Sequence, residues 1–96
     1  MYGTLARMKI KKENLDKVRE MMDPSAQRKV EGFRASYVVV PDQRDDEIWL
    51  LAVFEDEASY KKNAASPEQD KEFRAYRALL EDDPEWIDGQ IEVYEG

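Results

Sequence analysis

The sequence predicts an α+β fold of the ferredoxin-like βαββαβ type, a four-stranded antiparallel sheet with its helices on one face. Three observations lead there. β-favouring and amphipathic helical runs follow one another in the order β-α-β-β-α-β. At 96 residues the chain has room for one core, which places a single domain over residues 1–96. The third β-run, IWLLAVF from Ile48 to Phe54, is apolar at every position, so both of its faces need cover.

Tyr2 to Ile10 (YGTLARMKI) has no turn former after Gly3 and reads as the first strand, with Arg7 and Lys9 on its outer phase. In KENLDKVREMM, Leu15, Val18 and Met22 recur at helical spacing, Met21 widens the stripe and charges fill the other face; this is an amphipathic helix. Asp23-Pro24 breaks or kinks it, because proline restricts the residue before it and has no N–H to donate. Ser25 to Val30 is read as a further turn, with Gly32 as its C-cap. Phe33 to Val40 is dense in β-branched and aromatic residues and forms the second strand, which Pro41 ends.

After the loop PDQRDDE and the third strand, Asp56 caps a short helix through Tyr60, Lys61 and Lys62. Ser66-Pro67-Glu68-Gln69 opens another, with Ser as N-cap, Pro at the first helical position and Gln completing a capping box. Its stripe is Phe73, Tyr76 and Leu80, with Leu79 beside them, and it stops before Asp83-Pro84. Trp86 to Glu95 (WIDGQIEVYE) is the last strand. With Leu50, Ala52 and Phe54 in one phase of strand three and Trp49, Leu51 and Val53 in the other, the face without helices is apolar whichever way the strand turns. A second copy of the chain is expected to cover it, giving a homodimer through the sheet faces.

Composition excludes more than it proposes. Without cysteine there are no disulfides, thiolate nucleophiles or zinc–thiolate sites, and without histidine there is no Ser-His-Asp set and no imidazole ligand, so no metal site is expected. Glycines are too scattered for a phosphate-cradling loop. The net charge of -7 lies in the stretch after Leu80, a poor surface for nucleic acid and a good one for keeping a strand edge solvated. No apolar run reaches the ~20 residues of a membrane span and the N-terminus lacks a signal-peptide core, so a cytoplasmic protein with no membrane partner is expected.

The stretches GFRASYVVV, WLLAVFEDEASY and IEVYE resemble the antibiotic biosynthesis monooxygenase domain family, the dimeric α+β barrels, and the resemblance runs from Tyr2 to Tyr94. It implies a pocket between sheet and helices for a small hydrophobic or aromatic ligand. Haem-degrading members carry an Asn, a Trp and a His where this chain has Arg7, Asn63 and Phe73, and with no histidine anywhere haem degradation is set aside. Cofactor-free members carry an Asn and a Trp on strand three, a Tyr on the next helix and an Arg on the one after; the matching residues are Leu50, Phe54, Tyr60 and Arg74. The resemblance thus implies Tyr60 and Arg74 as catalytic residues, no cofactor, and oxidation of a phenol or quinol that is its own reductant. Arg74 would stabilise the substrate anion and Tyr60 would relay a proton or hold a carbonyl. Leu50 and Phe54 fit the alternative, a non-catalytic member that binds a small ligand or is purely a structural dimer.

Each candidate also has a structural reading. Tyr60 is a site hydroxyl or a core ring with its hydroxyl at the rim, and Arg74 an anion partner or a surface ion pair with Asp70 or Glu72. Among the ligand-binding candidates, Arg7 is an anchor or a solvated neighbour of Lys9, Tyr37 a platform or a dimer-face residue, and Asn63 a contact or a turn cap. Phe73 and Tyr76 are pocket walls or a packing stripe. Asp88, between Ile87 and Gly89, is the one carboxylate singled out by its neighbours, and it is assigned to a turn or bulge.

Overall fold

The computed structural model describes residues 1–22, 29–44 and 46–96. β1 (Tyr2–Lys9) and β3 (Glu47–Phe54) pair antiparallel along their whole length, from Tyr2 opposite Phe54 to Lys9 opposite Glu47. β2 (Phe33–Val39) lies outside β3 and β4 (Glu85–Gln90) outside β1, giving an antiparallel sheet of order β2-β3-β1-β4. A 3-10 turn at Lys12–Asn14 leads into α1 (Leu15–Met22), and the crossover between β3 and β4 holds α2 (Glu57–Ala64) and α3 (Pro67–Arg77). The α+β, ferredoxin-like arrangement expected from the sequence is therefore the one observed. Among the described residues no helix is long and apolar enough to cross a membrane.

Side-chain alternation decides what each face holds. Rows of cross-strand partners put Tyr2, Thr4, Ala6 and Met8 on the same face as Ile48, Leu50, Ala52 and Phe54, and on that face Trp86 and Asp88 stand opposite Ala6 and Thr4. The helices cover this face. Its buried centre is Met8, Ile10, Val18, Ile48 and Leu80, packed by Leu15, Met22, Tyr76 and Leu79. Removing such a side chain from water contributes about 1.5–3 kcal/mol. The opposite face carries Leu5, Arg7, Trp49, Leu51, Tyr37, Val39 and Ile87, and its edge residues Tyr37, Val39 and Ile87 are each 60% exposed or more.

β2 is not a simple alternation. Phe33 faces Phe54, yet Ala35 already faces Val53, so Arg34 is an extra residue and the strand changes phase at a β-bulge. Phe33 thereby lands on the helix face, its ring 5.5 Å from that of Phe54, while Tyr37 is sent to the opposite face.

Several local expectations change. The last strand stops at Gln90 rather than Glu95, where its ladder with β1 reaches Tyr2, and the Ile91 N–H still donates to the Met1 carbonyl at 2.9 Å. Leu80 sits past the end of α3, in a bridge to Ile10, and is buried there all the same. Gly32 serves a turn and not a helix cap: its φ is 79°, the Phe33 N–H donates to the Val30 carbonyl, and its own carbonyl accepts from Glu55 at 2.7 Å. Asp88 lies in regular ladder register opposite Thr4, without a bulge. The break at Asp23-Pro24 and most of the turn read at Ser25 to Val30 lie outside the described residues.

Candidate functional site

Between the sheet and the helices lies a cavity of about 590 Å³. That is within the usual size for a small-molecule site. Its floor is Thr4, Met8, Leu50, Ala52 and Ser36, and its walls bring Phe33, Phe54, Tyr60, Phe73, Tyr76 and Trp86 together. Polar groups enter from the helices: Asn63 of α2, and Gln69, Asp70 and Glu72 of α3. Among the described residues, no lysine or arginine lines it.

Local sequence fixes these positions. Asp56 caps α2, accepting the Ser59 N–H at 2.8 Å, and Tyr60 is the next residue. The same hydrogen bond holds the Asp56 carboxyl below the usual carboxylate range. The Tyr60 ring is packed between Tyr2 at 5.3 Å and Phe54 at 5.4 Å, so its hydroxyl has little freedom. That hydroxyl donates to Asp88 Oδ1 at 2.9 Å. Burial, and then Asp88, push the Tyr60 phenol up to about 12. Burial also raises Tyr76, with Glu72 acting in the same direction. Both phenols are therefore neutral donors at ordinary pH.

Ser66 caps α3 as expected, its Oγ accepting the Gln69 N–H at 3.1 Å. The capping box is only half made. The Gln69 side chain instead accepts from Asn63 Nδ2 at 3.1 Å, tying the end of α2 to the start of α3 across the cavity wall. Phe73 meets Trp86 of β4 with ring centroids 5.9 Å apart, closing the side of the cavity near the sheet edge.

Of the seven residues singled out from the sequence, Tyr60, Asn63, Phe73 and Tyr76 are gathered on this cavity. The other three lie elsewhere. Arg74 points away from it, paired with Asp70 at 3.1 Å one helical turn back, its side chain 79% exposed. Tyr37 is on the far side of the sheet through the β2 bulge. Arg7 is on that far side too, where its guanidinium donates twice to Glu47, at 2.9 and 3.3 Å, and lies over the Trp49 ring. Glu47 also accepts from Trp49 Nε1 at 2.7 Å and from Arg44 at 3.4 Å, and with its side chain only 4% exposed it is held ionised, chiefly by Arg7.

Thr4, Phe33, Trp86 and Asp88 were not foreseen as site residues. For Asp88 a signal existed, since it shares the phase of Trp86 on the closing strand. Recognising its partner required the fold, because Tyr60 is 28 residues away.

An antiparallel sheet with helices over one face and an aromatic cavity between the layers defines the class: an α+β, ferredoxin-like domain built around an internal space. A profile for the family described as antibiotic biosynthesis monooxygenase matches residues 1–79, and the chain belongs to that family. No curated protein matched the sequence. Among solved structures, a protein of Deinococcus radiodurans that carries the same family name is similar at 12% identity and a TM-score of 0.79, over 100% of this chain and 97% of that one. SnoaB, a cofactor-independent oxygenase from Streptomyces nogalater, is 16% identical with a TM-score of 0.69, over 98% of this chain and 97% of SnoaB. A conserved protein from Methanosarcina mazei is 16% identical with a TM-score of 0.74, over 95% of this chain and 92% of that one.

Proposed function

We propose that the protein is a cofactor-independent monooxygenase for a small, electron-rich aromatic substrate of the phenol or quinol type, working as a homodimer through its open sheet face. The observation that carries the reading is the cavity: six aromatic rings and a floor that includes Met8 and Leu50 surround a space of about 590 Å³ with only a few polar groups turned into it. Family membership and the fold shared with SnoaB support oxygenation. The apolar outer face of the sheet, with Tyr37, Val39 and Ile87 uncovered, supports the dimer.

In this reading the substrate supplies the electrons. Its hydroxyl, or the methylene of an anthrone, loses a proton, the anion passes one electron to dioxygen, and the carbon radical and superoxide combine to form a C–O bond. The peroxide then loses water to leave a carbonyl, so one oxygen atom ends in product and one in water. The chain's part is to hold the ring between aromatic walls, keep water away and stabilise the anion. With Arg74 turned outward, the anion rests on neutral donors, the Tyr76 hydroxyl, the Asn63 amide and, once turned from Asp88, the Tyr60 hydroxyl.

Oxygen uptake with a panel of anthrones and naphthoquinols, corrected for autoxidation, tests the reading. One atom of labelled dioxygen should enter each product, and Tyr60→Phe should lower kcat/KM by about 10²-fold. A panel that stays inert over background, or is turned over equally well by Tyr60→Phe, would remove the assignment. A monomer at micromolar concentration would remove the dimer.

A further inference from the structure

We propose that Asp88 is the terminal proton acceptor of the cavity, reached through the Tyr60 hydroxyl. The inference rests on the oxygenase reading above and names the base which that reading lacks. Tyr60 lines the cavity, whereas Asp88 stands just behind it on the exposed edge strand, so the 2.9 Å bond between them leads from the interior to water. Both ends are fixed. The Tyr60 ring is gripped by Tyr2 and Phe54, and Asp88 is held by the ladder opposite Thr4, whose hydroxyl donates to the neighbouring Ile87 carbonyl at 3.3 Å.

Because the Tyr60 proton points at Asp88, its oxygen faces other donors with its lone pairs; the Thr4 hydroxyl is one such neighbour, and a second lone pair is left for a donor in the cavity. A phenol that stays protonated is not itself a base; it accepts a proton only while passing its own along. The step balances accordingly: the substrate proton forms a bond to Tyr60 Oη, the Tyr60 proton moves to Asp88 Oδ1, and the substrate is left as an anion. Tyr60 ends neutral, with its hydroxyl directed at the atom that lost the proton, and Asp88 returns its proton to bulk water. The other titratable groups that bear on this pair are Tyr2 of β1 and Lys61 of α2, the latter tied to Glu57 at 2.6 Å.

The strength of such a base limits which protons it can take. Reference phenols and carboxylic acids differ by about six orders of magnitude in acidity. A simple phenol gives up its proton along this path too rarely. An anthrone, or a hydroxynaphthoquinol conjugated with a carbonyl, narrows that gap.

Anaerobic deuterium exchange into the methylene of anthrone reads proton removal without oxygen, and oxygen uptake reads the whole reaction. For Asp88→Asn both rates should fall about 10²-fold, while anthrone binding, followed by quenching of Trp86 in the cavity wall, stays within about twofold of the parent. Formate should restore Asp88→Ala in proportion to its concentration, which a merely structural aspartate would not allow. The ultraviolet titration of Tyr60, taken as the difference from Tyr60→Phe, should move down from about 12 in Asp88→Asn. Exchange that depends on Asp88 without oxygen uptake would keep the relay and discard the oxygenase. Uptake or exchange at full rate in Asp88→Asn, no formate rescue, or no exchange in the parent protein would discard the relay.

Discussion

Replacing Gly32 by alanine should cost far more than its place in a turn suggests, and should be felt at Tyr60. At a φ of 79° an alanine is in the left-handed region, which costs roughly 1–2 kcal/mol. Its Cβ would stand 2.4 Å from Ser59 Cβ and 2.5 Å from Ser59 Oγ, well inside contact distance and against an atom with no freedom to swing aside. Relieving that overlap adds about 1–3 kcal/mol. Ser59 is the residue whose N–H Asp56 caps, and Tyr60 follows it, so the shift is imposed on the first turn of α2. Together these come to about 2–5 kcal/mol, a large share of the stability of a small domain. Urea unfolding of Gly32→Ala, Ser59→Gly and the double variant forms a cycle. The steric part should return as a coupling of about 1–3 kcal/mol, while the backbone part should not. A Gly32→Ala loss below about 0.5 kcal/mol, or no coupling with Ser59→Gly, would refute the reasoning.

Ser66→Ala removes the acceptor that caps α3 and should lower stability by about 1 kcal/mol in urea unfolding. Glu47 and Asp56 have folded pKa values below their unfolded ones, so their stabilisation is complete above about pH 4.5 and is lost as pH falls through the lower folded values. Tm should therefore drop below that pH, and less steeply in Glu47→Gln. Val39→Asp, on the uncovered sheet face, should shift sedimentation from dimer to monomer and leave the far-ultraviolet dichroism unchanged.

Much of this molecule is legible from short-range pattern. The helix starts at Asp56 and Ser66 are written in residues that satisfy the first free N–H groups, and both caps form as read. The oily third strand foretells a need for cover on both faces, and it lies inside the sheet between β2 and β1. Candidate residues on the α2 and α3 stripes, Tyr60, Asn63, Phe73 and Tyr76, reach the cavity because helical periodicity points them at the sheet.

The rest depended on events that one segment does not announce. A single extra residue at Arg34 reverses the phase of β2, and so Phe33 enters the cavity while Tyr37 leaves it. Arg74 lies one residue beyond Phe73 on the same helix, and the 100° of rotation between them, with Asp70 waiting one turn back, turns it to water. Arg7 had two readings, and cross-strand neighbours chose between them by placing Glu47 and Trp49 beside it.

The sequence by itself determined the order of elements, where the helices begin and that one sheet face would be left apolar, since these follow from local hydrogen bonding and side-chain period. Only the tertiary structure decided which polar groups meet. Tyr60 and Asp88 are joined because α2 crosses the row of the sheet in which Asp88 stands opposite Thr4, and contact across 28 residues of chain is a property of packing that no local pattern encodes.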